Sequence, residues 1–195
     1  MDSQENSAAR DPYRSLDGHS VILYGSDESW LRDHVVRFCC ENLAAEHPVM
    51  IVTTPAHRAA FLSALDAAGV DTGAAIAAGQ LVCADAVETL EEILSDGRID
   101  LRAFERNVAE PVSNLRLRGP LRVYGEMVGV LWALGRHELA IELEMHWNRL
   151  RKRVDMDTLC AYEIDVFSPD FLVSEIAGIV QTHGRVLPCG GPSAA

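Results

Sequence analysis

The stretch Val21-Ile-Leu-Tyr-Gly-Ser-Asp-Glu-Ser-Trp30 passes from an apolar run, through a glycine, into a helical pattern. Strand, glycine turn and helix in this order form the phosphate-binding unit of many α/β proteins. Such a loop needs G-x-x-x-x-G-K-[ST], whose glycines let N–H groups converge and whose lysine neutralises charge. Gly25 is followed by neither the second glycine nor the lysine of this motif. The acids Asp27 and Glu28 would repel a polyphosphate. We therefore predict a strand and a helix capped by Ser26 or Asp27, rather than a nucleotide site.

Composition and charge limit the class of protein. The chain has 195 residues, of which 48% are hydrophobic, and this suits one well-cored domain. A net charge of −12 argues against nucleic acids and anionic membranes as partners bound through a general electrostatic surface. We expect no signal peptide, because the first residues are polar and acidic, and no apolar run reaches membrane-spanning length. The five scattered cysteines favour a reduced, cytoplasmic protein, for which we expect no cofactor.

Five short apolar runs alternate with helical patterns, which predicts an α/β fold. The strands are expected at residues 19–24, 48–54, 80–84, 121–124 and 158–162. Helices are expected at residues 29–45, 55–68, 86–94, 100–117, 126–134, 138–151 and 169–182. This alternation is typical of a three-layer fold, in which helices cover both faces of a mainly parallel sheet. We predict a flexible leader at 1–18, one domain at 19–188 and a flexible tail at 189–195.

The carboxyl ends of parallel strands share one edge of a sheet, where ligands usually bind. Tyr24, Tyr124 and Tyr162 each end a predicted strand, so we expect them to converge. Glu126 follows the fourth strand and is expected to accept a ligand hydrogen bond or to hold a metal-bound water. A simple helix N-terminal acid is the alternative. Gly125 would let a ligand approach the backbone closely.

Other side chains near these ends have two interpretations each. His57 and Arg58 begin a helix and either receive an anionic ligand or form a solvated first turn. Met127, Trp132 and Trp147 either line the site or pack in the core.

Two further pairs of side chains are candidates for a chemical role. Glu142 and His146 are four residues apart on one helix, which favours either a pocket wall beside Trp147 or a surface pair. Asp85 with Glu126 would suit a metal-assisted hydrolase.

A metal centre and a cysteine nucleophile are not expected. His19, His183 and Cys160 lack the short spacing typical of metal ligands, so they would have to converge over a long range. No base adjacent to Cys160 is identifiable, and a cysteine in a strand is usually buried. We predict no metal ligand and no catalytic residue.

Four ordered motifs point to a known family. They are Gly18-His-Ser-Val-Ile-Leu-Tyr-Gly-Ser-Asp-Glu28, Thr54-Pro-Ala-His-Arg58, Arg122-Val-Tyr-Gly-Glu-Met-Val128 and Leu159-Cys-Ala-Tyr162. Together with Leu131-Trp132, Glu142 and Trp147-Asn148, they resemble the MEDS domain. This is the methanogen/methylotroph sensory domain of dichloromethane-responsive regulators. The resemblance runs from about His19 to Pro188.

The resemblance implies a RecA/KaiC-like fold whose Walker A loop is lost, so that Tyr24-Gly-Ser-Asp27 is a degenerate P-loop. It also implies that the first strand lies between the fourth and the fifth. Family members are regarded as sensors of small molecules such as hydrocarbon derivatives, and are often joined to kinase, DNA-binding or sigma-control modules. No such module is recognisable here, so we expect signalling through a partner protein.

The sequence therefore predicts a bacterial, non-enzymatic sensory domain that binds a small molecule, either as a monomer or as a homo-oligomer. The alternatives are a ligand-free regulator that only binds a partner, and a divergent nucleotide- or metal-dependent hydrolase. The expected ligand-binding residues are Tyr24, Gly25, His57, Arg58, Tyr124, Glu126, Met127, Trp132, Trp147 and Tyr162.

Overall fold

A six-stranded parallel sheet forms the centre of the molecule. The computed structural model describes residues 18–189, so the predicted leader and tail fall almost entirely outside the described residues. The strands are β1 (His19–Tyr24), β2 (Val49–Thr53), β3 (Leu81–Asp85), β6 (Leu121–Gly125), β7 (Met156–Glu163) and β8 (Arg185–Cys189). The short strands β4 (Leu94–Ser95) and β5 (Arg98–Ile99) pair separately, in antiparallel fashion. The order in the main sheet is β3-β2-β6-β7-β1-β8.

Helices cover both faces of this sheet, as predicted. They are α1 (Ser29–Ala44), α2 (Pro55–Ala67), α3 (Thr72–Ala77), α4 (Ala86–Ile93), α5 (Leu101–Phe104), α6 (Glu110–Arg116), α7 (Met127–Ala133), α8 (His137–Arg153) and α9 (Ala177–Thr182). A π-helical turn (Glu105–Ala109) joins α5 to α6, and a 3-10 turn (Val173–Ile176) precedes α9. Among the described residues, no helix is long and apolar enough to cross a membrane.

Side chains alternate between two cores along each strand. Ile22 of β1 packs with Phe38 and Phe61, which belong to α1 and α2. Val21 of the same strand packs in the other core, with Leu131 of α7 and Leu143 of α8. The period of two therefore divides the apolar residues into a core under α1 to α3 and a core under α4 to α9. The result is the expected three-layer architecture.

The expected strand order is wrong. The fourth and fifth predicted strands, β6 and β7, pair directly in parallel. Strand β1 instead lies between β7 and β8, bonded to both. Local pattern determines where a strand forms but not which neighbour it chooses, because that choice depends on how the crossover helices pack.

Helix boundaries follow local chemistry. Pro55 opens α2, where its fixed φ is favourable, and the Thr54 hydroxyl accepts a hydrogen bond from His57 N. The predicted helix at 100–117 is helical from Leu101 to Arg116 but contains the π turn. Pro111 explains the turn, because its ring cannot fit against the carbonyl four residues earlier in a regular α-helix. Glu28 occupies the N-cap position of α1 without a side-chain cap hydrogen bond, and the predicted Asp27 accepts one from Ser29 N.

Candidate functional site

A cleft opens at the carboxyl edge of the sheet, where the chain leaves adjacent strands toward opposite faces. From β2 the chain enters α2 on one face, and from β6 it enters α7 on the other. Such a switch point leaves a crevice between the two helix starts. We call it the strand-end cleft; its volume is about 240 Å³, and its lining residues are Tyr24, Glu28, Thr54, His57, Glu126, Gly129, Val130, Ala133, Ala161 and Glu163.

Glu126 connects the two helix starts beside this cleft through hydrogen bonds. Its side chain is 6% exposed and reaches from the end of β6 to the start of α2. There Oε2 accepts a hydrogen bond from Thr54 N at 2.8 Å. Oε1 accepts one from the Tyr124 hydroxyl at 2.8 Å and lies 2.6 Å from His57 Nδ1. These three bonds use most of the capacity of a carboxylate, which leaves Glu126 about one acceptor position for a ligand.

His57 lies between two acids. Its Nδ1 contacts Glu126, and its Nε2 lies 3.3 Å from Glu28 Oε1. The hydrogen bond to Glu126, assisted by Glu28, raises the pKa of His57 to about 9 against the opposing effect of burial. The imidazolium is therefore the stable form at neutral pH, with Nε2–H directed at an exposed carboxylate.

Tyr24 supplies a second donor at the same cleft. Burial, followed by the charges of Glu126, Glu163 and Glu28, raises the pKa of Tyr24, so the phenol stays protonated. Within residues 18–189 its hydroxyl has no hydrogen-bond partner. Three acids line the cleft against one imidazolium, and this balance disfavours anionic ligands.

The opposite wall is apolar and closely packed. It is formed by Val130, Ala133 and Ala161, with Gly129 at the contact between α7 and β7. A Cβ atom at Gly129 would lie 2.5 Å from the carbonyl oxygen of Ala161, so glycine is required for this close approach. The cleft thus combines two hydrogen-bond donors with a small hydrophobic surface.

The loop after β1 is surrounded by acidic side chains. A Cβ atom at Gly25 would lie 3.1 Å from Cγ of Asp165, so a third acid adjoins the loop that carries Asp27 and Glu28. Asp27 accepts a hydrogen bond from Ser29 N at 2.9 Å. The N-terminus of α1 is therefore served by the protein's own carboxylate.

The expected convergence of the three tyrosines does not occur. Tyr24 and Tyr124 belong to the core under α1 to α3, whereas Tyr162 belongs to the core under α4 to α9. Trp132 packs edge-on against Tyr162 and stacks on His137, with ring centroids 4.0 Å apart in the stacked pair. Alternation along a strand explains the separation, since a tyrosine at a strand end projects to whichever face its register dictates.

The other predicted residues lie outside the cleft lining. Met127 and Trp147 are buried in the core under α4 to α9, which confirms the packing interpretation for both. Arg58 is half-buried, and its charge acts on Cys83. Asp85 caps α4 by accepting a hydrogen bond from Val87 N at 2.9 Å and does not join Glu126.

The pair of Glu142 and His146 also has a structural role. Glu142 is 46% exposed, and its Oε1 lies 3.9 Å from His146 Nε2, as the surface-pair alternative predicted. His146 packs on Phe104, with ring centroids 5.4 Å apart.

A second polar cluster lies on the sheet face covered by α4 to α9. It is buried between β1, β7, α8 and the end of α9. Its central acid, Glu144, is fully buried. Burial would raise the pKa of Glu144, but His183 and His19 lower it, so the carboxylate is ionised. Four ligand-type side chains gather here within 4.8 Å of one another, and we call them the buried cluster: His19, Glu144, Cys160 and His183. The prediction that His19, Cys160 and His183 do not meet is wrong, since folding brings them together.

Sequence reasoning placed Glu144 on one helix face with Asn148 but gave it no role, and it missed the roles of Glu28, Thr54 and Glu163. A usable signal existed for Glu144, because Glu144 and Asn148 lie four residues apart on one helix and a pair of polar residues on a buried face demands partners. No local signal places His183 beside His19.

A larger groove of about 510 Å³ lies near the amino ends of β2 and β3. Cys40, Leu43, Val70 and several alanines line it. Its one carboxylate, Asp71, already caps α3 by accepting a hydrogen bond from Ala74 N. The strand-end cleft is the better candidate because its polar groups remain directed at the opening.

Fold and cleft define a three-layer α/β protein with a small cleft at its strand ends. A family model described as "MEDS: MEthanogen/methylotroph, DcmR Sensory domain" matches residues 18–184. The chain therefore belongs to the MEDS family of sensory domains. Comparison with curated proteins gives no match.

Proposed function

We propose that this MEDS domain senses a small, mostly apolar molecule bound in the strand-end cleft, without chemical turnover. The observation that carries the proposal is the pairing of two donors, the Tyr24 hydroxyl and His57 Nε2–H, with the apolar wall of Val130 and Ala133. A guest with one hydrogen-bond acceptor, such as a carbonyl or hydroxyl oxygen on a short hydrocarbon, matches this arrangement.

Size supports the same class of ligand. The cleft volume of about 240 Å³ is roughly eight times the ~30 Å³ share of a liquid water molecule. A guest of about eight non-hydrogen atoms fills that space, whereas drug-sized ligands occupy roughly 300–1,000 Å³. A nucleotide is too large and too anionic for it.

Glu28 supplies the first step of signalling in this proposal. It is 58% exposed and holds His57 Nε2 at 3.3 Å, so a ligand oxygen that takes its place displaces only a weak surface contact. Glu28 directly precedes α1 and its side chain makes no cap hydrogen bond there, so its contact with His57 joins the loop between β1 and α1 to the cleft. Ligand binding is thereby coupled to the position of that loop.

The segment after β7 extends the same coupling to the surface. Glu163 lines the cleft and Asp165 packs on Gly25, while Phe167 two residues later is 50% exposed. A change at the cleft is thus transmitted to an apolar surface residue, in line with readout by a partner protein.

A panel of small ketones, alcohols and amides tests the ligand. Backbone NMR should show saturable shifts at Tyr24, His57 and Val130 for the compounds that bind. Tyr24→Phe removes one donor and should weaken binding roughly tenfold. Ala133→Phe fills the cleft and should abolish binding, whereas Ala60→Phe, an exposed alanine of α2 outside the cleft, is the control.

The outcomes separate the alternatives. A hit that survives both Tyr24→Phe and Ala133→Phe places the ligand elsewhere and refutes the site. A panel without hits, together with partner binding that ignores every compound, favours the ligand-free regulator. Micromolar affinity for magnesium ATP in calorimetry would support a hydrolase, and we expect none.

A further inference from the structure

The buried cluster presents acceptors to one another, which is unusual for a closed core. His183 Nδ1 lies 2.8 Å from the carbonyl oxygen of Ile179, and a carbonyl only accepts, so Nδ1 carries the proton. Nε2 of the neutral ring is then a bare lone pair, and it lies 3.2 Å from Glu144 Oε1. Among the described residues this buried Nε2 has no hydrogen-bond partner.

The same argument assigns the tautomer of the second histidine, His19. Asn148 donates its Nδ2 to the carbonyl oxygen of Thr182 at 2.7 Å, and this turns its Oδ1 toward His19 Nδ1 at 3.1 Å. His19 Nδ1 therefore donates, and its Nε2 also faces inward as a lone pair. It lies 3.2 Å from Glu144 Oε2 and 3.3 Å from Cys160 Sγ.

Protonation satisfies this arrangement poorly. Two imidazolium rings with centroids 4.0 Å apart would repel each other in a site with one carboxylate. If His183 alone is protonated, the weak S–H donor of Cys160 is what remains for the lone pair of His19. A cation at the centre turns every inward-facing atom into a ligand.

We propose that the buried cluster binds one divalent transition-metal ion, with zinc the best match. Tetrahedral zinc with bonds of about 2.0–2.3 Å places its ligand atoms about 3.3–3.8 Å apart. The separations of Glu144 Oε2 from His19 Nε2 and Cys160 Sγ are 3.2 and 3.5 Å, close to that spacing. Imidazole with thiolate selects zinc over magnesium or calcium, which prefer oxygen ligands.

Charge and surroundings support the same ion. Zinc with one thiolate and one carboxylate has no net charge, and this suits a site whose four ligands are all buried. The outer partners are also those of a metal site, because each histidine donates Nδ1–H to an oxygen. The Tyr162 hydroxyl likewise orients Glu144 at 2.8 Å.

Four protein ligands close the coordination shell, so the ion's role is structural rather than catalytic. It ties together β1, β7, α8 and the residue that follows α9, which are far apart in the chain. The site lies in a different core from Tyr24 and Tyr124 and does not depend on the proposed ligand.

The test is metal analysis of the full chain, produced with zinc present and passed through a chelating wash. We expect about one zinc per chain. After metal removal, cobalt should give tetrahedral visible bands and a thiolate-to-cobalt charge-transfer band, both displaced by zinc. Cys160→Ser should abolish the charge-transfer band and weaken zinc binding more than about 100-fold. Cys39→Ser, equally buried but in the other core, is the matched control and should change neither.

Tyr162→Phe guards against a folding artefact, because it leaves all four ligands in place. It should weaken zinc binding about tenfold and keep the cobalt spectrum. If Cys160→Ser fails to fold, the wild-type cobalt spectrum and the Tyr162→Phe affinity decide. A wild-type chain without stoichiometric metal, or a cobalt spectrum without thiolate character, would overturn the proposal.

Discussion

Glu126 and Glu144 are two buried carboxylates with a shared motif and opposite surroundings. Each accepts a hydrogen bond at 2.8 Å from a strand tyrosine, Tyr124 for the first and Tyr162 for the second. Around Glu126 the remaining neighbours donate, and the carboxylate is satisfied. Around Glu144 the neighbours present lone pairs and a thiol. The donors around Glu126 leave its carboxylate satisfied, whereas the carboxylate of Glu144 needs either a proton on a neighbouring histidine or a metal ion between them.

Glu144→Gln should have the largest effect on stability. An amide cannot neutralise a cation or an imidazolium, and breaking a fully buried charge pair costs about 3–5 kcal/mol of unfolding free energy. Urea denaturation measures the loss. Glu142→Gln, on the exposed face of the same helix, is the control and should stay within about 0.5 kcal/mol of wild type. Equal stability of the two variants would contradict the account.

Glu126→Gln should cost less, about 1.5–3 kcal/mol. The amide keeps one acceptor but directs its NH₂ group at groups that also donate, namely Thr54 N–H, the Tyr124 hydroxyl or His57. The same denaturation experiment applies, and addition of a chelator should leave this loss unchanged. A loss larger than that of Glu144→Gln would reverse the comparison.

The two strand tyrosines, Tyr124 and Tyr162, provide a finer test of the difference between Glu126 and Glu144. Tyr124→Phe and Tyr162→Phe each remove one hydroxyl hydrogen bond, worth about 1 kcal/mol. Melting of each variant with zinc and with a chelator separates the clusters. The cost of Tyr162→Phe should depend on the metal, and that of Tyr124→Phe should not. Identical metal dependence in both would disprove separate roles.

The smallest effect is a pH dependence at the cleft. The folded pKa of His57, about 9, exceeds its ordinary value of 6.5. Its contribution to stability is therefore complete below about pH 6.5 and disappears as the pH rises through about 9. Glu126, Glu28 and Tyr24 face its ring. The melting difference between wild type and His57→Gln should shrink over this interval, and a constant difference would count against the ion pair.

The sequence predicted the positions of strands and helices better than it predicted which strands pair with each other. The apolar run of β1 was predicted at residues 19–24, the bounds observed for His19–Tyr24. Strand β8 was missed because Arg185 and Pro188 interrupt its pattern; proline is tolerated there since β8 is an edge strand. The cleft position followed from a general rule about strand ends.

The chemistry of the sites was harder to predict. Which face receives Tyr162, and which acid binds His57, depends on register and helix packing. The buried cluster joins His19 to His183 across almost the whole described chain, and no spacing rule covers such a distance. Only pairing of β1 with both β7 and β8 brings these ends together.

One measurement tests the contrast between the clusters directly: a side-chain ¹H–¹⁵N correlation spectrum of the histidines at neutral pH. The account predicts both ring nitrogens of His57 protonated. It predicts His19 and His183 as neutral rings with the proton on Nδ1 and with Nε2 shifted by a metal. A neutral His57, or doubly protonated rings at both His19 and His183, would contradict it.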